Sequence, residues 1–305
     1  MVGLPAHPVV VQPHHRNAVA GAVAGHFALA TAGVRGGLRV ADAAHAALGT
    51  RALHALLDGA RRLAPDVVPK WSPALARPVR FRPDKRARPA PEADAIVYFP
   101  SCAARNLGAQ RGHDGVDPLP VAAERLFGKA GYAVAYPERL PDLCCGQPFE
   151  SKGLADAADR KAAELEAALR AASDGGRRPI VFDTSPCAYR MRRFLGGRLA
   201  VHDAIAFIHD AVLPRVVLAP VAGPVAIHPV CSVRKMGLAD TLHAVAARCS
   251  AHVVAADDHQ CRRLERTRRR RAYLGVEQCH LAERLAGAQR RQRHRRAAAP
   301  RGDRH

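Results

Sequence analysis

Four cysteines carry the chemistry this chain could do. Cys102, Cys144, Cys145 and Cys187 form the pattern C-x41-C-C-G-x40-C. Four soft thiolates suit zinc or an iron–sulfur cluster. Zinc sites usually draw ligands from tight C-x2-C pairs, so adjacent Cys144-Cys145 with remote partners suits a multi-iron cluster better. Against any metal reading, cysteine is also a common small core residue. Cys231 and Cys261 are secondary candidates. His228, three residues before Cys231, could be a ligand, a hydrogen-bond donor to a cluster sulfur or a proton relay. His14, His15, His202, His209 and His243 read as ordinary surface or core histidines. Cys249 falls on a predicted helix and reads as core, and Cys279 has no matched role.

Remote thiols meet only if the fold gathers them. The apolar runs Ile96–Phe99, Ala133–Tyr136, Ile180–Phe182, Val225–Ile227 and His252–Val254 read as short strands. They alternate with helical stretches at 118–131, 154–172, 203–213 and 238–248, which predicts a parallel α/β sheet. In such a sheet the loops at the carboxyl ends of the strands converge on one crevice. Each of the four thiols follows a predicted strand or lies in the loop after one, and Gly146 would let backbone pass close to a bound group. Val97–Cys102 and Ala226–Cys231 both end a strand on Pro-x-Cys, which suggests two pseudo-repeated α/β halves.

The expected organisation is an N-terminal helical segment over 1–64, a Pro-rich linker or wrapping segment over 65–93, a first cysteine-rich repeat over 94–222, an incomplete second repeat over 223–260, and a disordered basic tail over 261–305. The 305 residues carry a net charge of +20, and Arg dominates the tail. Only six of the 47 basic residues are Lys, and Ala, Gly and Pro are abundant. That balance fits a GC-rich coding sequence and weakens a nucleic-acid reading of the charge. Eight Cys in a chain this long do not make a disulfide scaffold. With no secretory signal legible, the expectation is a cytoplasmic protein, compatible with peripheral association at the inner face of the cell membrane.

The segments Tyr98-Phe99-Pro100-Ser101-Cys102, Leu143-Cys144-Cys145-Gly146-Gln147-Pro148-Phe149-Glu150-Ser151-Lys152-Gly153 and Asp183-Thr184-Ser185-Pro186-Cys187 resemble the Cys-Cys-Gly cysteine-rich domain. That domain occurs in heterodisulfide reductase subunits, glycolate oxidase iron–sulfur subunits and the C-terminal part of flavin-linked D-lactate dehydrogenases. The resemblance covers roughly residues 16–260 and is nearest to the last group, through the helical, Pro-rich lead-in and His228-Pro229-Val230-Cys231-Ser232. It implies one 4Fe-4S cluster on Cys102, Cys144, Cys145 and Cys187. Thr184 stands where the family often has a fifth cysteine, and Gln260-Cys261-Arg262-Arg263 replaces a second Cys-Cys-Gly turn. No flavin-binding pattern is present, so FAD would belong to a missing domain or partner, and no catalytic residue is expected here.

The implied function is the electron-transfer portion of a flavin-linked 2-hydroxyacid dehydrogenase, an oxidoreductase whose partners would be a flavoprotein domain or subunit and a downstream cytochrome or quinone. A stand-alone iron–sulfur subunit of a glycolate- or lactate-oxidising complex is one alternative. A non-catalytic polyanion-binding protein that uses the basic tail is another, and an inactive gene fragment a third. A tail that turns Arg-rich where a Gly-rich stretch is expected would also follow from a frameshift.

Overall fold

The structure is a computed structural model that describes residues 13–64, 68, 71–83, 94–113 and 115–255. Expectations for Cys261, Cys279 and the 261–305 tail lie outside the described residues.

The chain opens with α1 (Pro13–Gly25) and α2 (Phe27–Leu63), α2 broken at Gly49, whose φ of 72° and ψ of 173° are not helical. Then come β1 (Ala76–Pro78), β2 (Ala95–Phe99), α3 (Cys102–Asn106), β3 (Leu107–Gln110), α4 (Leu119–Lys129) and β4 (Ala133–Ala135). A 3-10 turn at Leu140–Asp142 leads to α5 (Gln147–Glu150), α6 (Ala155–Ala172), β5 (Ile180–Phe182), α7 (Ser185–Leu195), β6 (Val201–Asp203) and α8 (Ala204–Phe207). The described chain ends with β7 (Val225–Ile227), α9 (Cys231–Lys235), α10 (Ala239–Cys249) and β8 (Val253–Ala255).

The fold is α/β, as the alternation predicts. A four-stranded parallel sheet runs in the order β4-β2-β5-β6. β7 and β8 form a separate parallel pair. Three strands were not legible as such: β6 is an edge strand of three residues, and β1 pairs antiparallel with β3. The described part of the Pro-rich segment therefore wraps as extended chain. Beyond β1 it continues the pairing, with Val79 N and Phe81 N donating to Asn106 O and Arg105 O.

Alternation along the strands builds two cores. Val97, Phe99, Ile180 and Phe182 face α6 and α7 and meet Leu165, Leu169, Met191 and Leu195. Ile96, Tyr98 and Val181 face the other way, toward Phe127 of α4 and Phe207 of α8. Both layers exclude water, and each large side chain contributes about 1.5–3 kcal/mol by burial. A third cluster ties the N-terminal helices to the first sheet: Ala20, Ala24 and Phe27 pack on Phe149, Ala157, Ala158 and Cys144. Arg160 Nη2 donates to Gly21 O at 2.9 Å across the same seam.

Candidate metal centre

β2 and β5 are neighbours in the sheet, but the chain leaves β2 for β4 on one side and returns for β5 on the other. This reversal is the topological switch point, where open α/β sheets leave a crevice beyond their carboxyl ends. Cys102 follows β2 there as the first residue of α3, and Cys187 follows β5 in the first turn of α7. Both follow a strand end, as the sequence suggested, and sit in the first turn of a helix. Cys144 and Cys145 come from the loop between β4 and α5.

The four thiols form a row. Cys102 is in hydrogen-bonding contact with Cys144, and Cys144 with Cys145. The Cys145 thiol donates to Cys187 Sγ at 2.9 Å. Cys144, Cys145 and Cys187 are buried, and Cys102 is partly accessible. For Cys102, the hydrogen bond with Cys144 acts first and burial second, and together they push the thiol far above its usual range. For Cys144, the Cys102 hydrogen bond is the largest influence and lowers it, but the Cys145 hydrogen bond and burial prevail and push it up to about 12. Cys145 follows the same logic: Cys144 pulls its thiol down, while Cys187 and burial carry it well above normal.

Two buried arginines hold the loop that carries Cys144 and Cys145. Arg105 of α3 donates through Nη2 to Leu143 O at 2.6 Å, through Nη1 to Leu140 O, and through Nε to Ser101 O at 3.4 Å. Its guanidinium also lies 5.5 Å from the centre of the Phe99 ring. Arg190 of α7 donates through Nε to Cys145 O at 3.0 Å, and its other nitrogens reach Glu150 at 2.8 Å and Asp159 at 2.7 Å. Arg190 is thus paired with carboxylates, whereas the hydrogen bonds of Arg105 all go to backbone carbonyls. The groups that draw on the charge of Arg105 are Cys102, Cys144, Asp183 and Cys187, in that order, against a burial that lowers its pKa.

Asp183 fixes the spacing of the two strand ends. Its carboxylate accepts from Ser101 N at 2.9 Å, Thr184 Oγ1 at 2.8 Å and Tyr98 Oη at 3.2 Å. Burial raises its pKa against those hydrogen bonds. Ser101 Oγ in turn accepts from Ala104 N at 3.1 Å and caps α3. Gly146 sits where backbone approaches backbone closely. At a φ of 85°, a Cβ on it would stand 2.2 Å from Ala158 O and 3.0 Å from Arg190 Nε. The close approach is to helix α6.

Comparison with protein-family models, curated proteins and solved structures finds no match to this chain. The reading of the site therefore rests on its own geometry.

Among the described residues, no three His, Cys, Asp or Glu side chains are arranged as the ligand set of a single metal ion. The thiol contacts run in succession from Cys102 through Cys144 and Cys145 to Cys187. Any ligation must part Cys145 from Cys187, because two thiolates on one tetrahedral ion with bonds of about 2.3 Å lie about 3.8 Å apart, and thiolates on different irons of a cluster lie farther apart still. The donor chemistry fits a cluster with one thiolate on each iron, and the buried guanidinium of Arg105 fits the net negative charge such a cluster would bring.

The secondary candidates do not join the row. Cys231 is exposed at the start of α9, and His228 is exposed after β7. His202 is half-buried against the Phe207 ring, with its pKa lowered by burial and then by Arg192. His209 pairs with Asp210 at 2.7 Å, His243 is exposed, and Cys249 is half-buried at the end of α10. His14 and His15 lie in α1.

Sequence reasoning missed Arg105, Arg190 and Asp183. A signal was present for the arginines. Cys102-Ala103-Ala104-Arg105, Cys187-Ala188-Tyr189-Arg190 and Cys231-Ser232-Val233-Arg234 repeat Cys-x-x-Arg three times. On a helix that spacing puts both side chains on one face.

Proposed function

We propose that this chain holds an iron–sulfur cluster on Cys102, Cys144, Cys145 and Cys187 and serves as the electron-transfer portion of a flavin-linked 2-hydroxyacid dehydrogenase. The observation that carries the metal part is the row of four thiols at the switch point beside a buried Arg105 whose hydrogen bonds go only to carbonyls. A buried cation is stable only near compensating negative charge. Asp183 supplies part of that charge, and cysteines that lose their protons to a soft metal would supply more. The dehydrogenase part rests on the resemblance of the cysteine segments.

A bound cluster would supply one-electron transfer at a potential tuned by burial and nearby hydrogen bonds. The chain's own residues have separable roles in this reading. Arg105 and Arg190 hold the Cys144–Cys145 loop by its carbonyls. Asp183 sets the separation of the two strand ends. Ala20, Ala24 and Phe27 exclude water over Cys144.

The test is anaerobic expression of the full chain with iron and sulfide. The expected product is brown, with about four irons per chain and no flavin. Cys145→Ser should lose the colour, because oxygen is a poor substitute for thiolate at iron. Stoichiometric zinc without iron would overturn the cluster. Oxidation of D-lactate with an artificial dye should be absent from the isolated chain, and robust turnover would overturn the assignment of the chemistry to a separate flavoprotein.

A further inference from the structure

Helix α2 is turned inside out relative to an ordinary surface helix. Over Phe27–Leu48 its ionisable residues, Arg35, Arg39, Asp42 and His45, share one side. Three of the four meet the protein body. Asp42 holds Arg111 at 2.6 Å and Arg77 at 3.4 Å, His45 packs on Trp71 with ring centres 4.8 Å apart, and Arg35 donates to Asn106 Oδ1. The opposite side carries no charge and lies open. Leu29 is 72%, Val40 70% and Leu48 49% exposed on it, and Val34, 56% exposed, lies at its margin beside His45. A surface helix normally buries its apolar stripe and wets its polar one. An uncharged stripe running along a 22-residue segment, about 33 Å long, is of the kind that marks an interaction surface.

We infer that this stripe is the docking face for a partner protein whose contacting surface is apolar with a carboxylate rim. The rim chemistry comes from the edge of the stripe. Arg39 follows Arg35 by one helical turn, and Arg80 extends from the wrapping segment after β1. Both are exposed, and neither has a carboxylate partner among the described residues. An apolar centre with a charged rim is the usual anatomy of a protein–protein interface, and two exposed guanidinium groups favour an acidic partner. The stripe is Val, Ala, Gly and Leu without Trp, Phe or Lys, a composition suited to a packed protein surface more than to a lipid headgroup layer.

The face is also joined to the thiol row. Arg35 contacts Asn106, and Asn106 Nδ2 donates to Cys102 O at 2.5 Å. Cys102 is the least buried of the four thiols. The stripe lies on the far side of α2 from this contact, so a partner on it would be linked to the row through the helix. That the partner is the flavoprotein rests on the proposed function, whereas the docking face does not.

Two helical peptides, each with a Leu/Ala stripe, one rimmed by Glu and the other by Lys, test the inference against the full chain in its iron-free and iron-reconstituted forms. The Glu-rimmed peptide should bind both forms and weaken with salt. Binding should fall about tenfold or more in Val34→Glu/Val40→Glu and in Arg39→Gln/Arg80→Gln, the scale expected for one apolar anchor or two ion pairs. Lys129→Gln/Arg248→Gln should bind like the parent. Circular dichroism and Trp71 emission should be unchanged throughout, since every substituted side chain is exposed. Equal binding of both peptides, or of neither, overturns the acidic partner. Flotation with phosphatidylglycerol vesicles that Val34→Glu/Val40→Glu abolishes would assign the face to a bilayer. A concentration-dependent dimer that the same variant dissociates would assign it to a second copy. Peptide binding without iron loading would leave the face standing and remove the cluster, and iron loading without peptide binding would do the reverse.

Discussion

Gly146→Ala should be among the most damaging single substitutions in the first sheet, and its cost can be worked from two neighbouring glycines. Gly146 and Gly153 both adopt left-handed backbone, at φ of 85° and 74°. A Cβ at Gly153 would meet nothing within 4 Å, so Gly153→Ala bears only the left-handed penalty of about 1–2 kcal/mol. A Cβ at Gly146 would stand 2.2 Å from Ala158 O and 2.9 Å from Ala158 C. Both are backbone atoms of a fully buried residue near the start of α6, so no side chain can swing away. Shifting packed backbone costs about 1–3 kcal/mol more, for a total of about 2–5 kcal/mol. Urea unfolding of the iron-free chain, read by far-UV circular dichroism, measures the difference between the two variants. The shift should also move Cys144 and Cys145, so iron uptake should fall in Gly146→Ala and hold in Gly153→Ala. If the two variants unfold within about 0.5 kcal/mol of each other, the limit for an unremarkable substitution, the close approach to α6 is not structural and the reasoning fails.

Arg190→Met should destabilise by about 2–3 kcal/mol, because Cys145 O loses its donor while Glu150 and Asp159 are exposed enough to hydrate; urea unfolding checks it, and a loss under 1 kcal/mol would show that the arginine is dispensable. Asp183→Leu should cost about 2–4 kcal/mol and loosen the spacing of Cys102 from Cys187, since Ser101 N, Tyr98 Oη and Thr184 Oγ1 all lose their acceptor; Asp183→Asn, which keeps an acceptor oxygen, should recover much of this and of the iron uptake. Glu166 is held down to about 2, first by the Arg198 hydrogen bond and also by Arg170, against burial. A carboxyl lowered on folding stabilises the native state above its unfolded pKa of about 4.3 and loses that contribution as the pH falls through the folded value. Glu166→Gln should therefore melt below the parent at pH 7, and the gap should close as the pH drops from 4.5 toward 2.

The α/β class and most strand positions were legible because β2, β4, β5, β7 and β8 are short runs of apolar residues bounded by breakers. β6 was not, because Val201-His202-Asp203 holds two polar residues in three, and Asp203 is spent on capping α8, where it accepts from Ile205 N at 2.9 Å. β1 and β3 carry no apolar alternation and exist because each pairs with the other. Helix α7 had an unused signal, Ala188, Met191 and Leu195 at helical spacing, all buried. The convergence of the thiols could be argued from strand-end geometry alone. The arginines that hold the thiol loop could not, since a lone Arg on a short helix reads as surface until the carbonyls it reaches are known. Nor could periodicity say that α2 turns its apolar side outward, because a hydrophobic stripe fixes the direction of a helix face only once the body it packs against is placed.

The pairing order has a consequence for how the chain is made. β2 is central, and Ala95 pairs with Ala133 while Val97 pairs with Ile180, so the sheet closes only through contacts distant in sequence. Such closure is slow compared with helix formation. During synthesis Cys102, Cys144 and Cys145 emerge well before β5 and Cys187, and no sheet yet exists to hold them apart from other thiols. For that interval the nascent chain carries three unguarded thiols, two of them adjacent, open to oxidants and to stray metal. A reducing compartment protects the unfinished protein more than the finished one, and the yield of correctly assembled chain should depend on the redox conditions of translation rather than on those of storage.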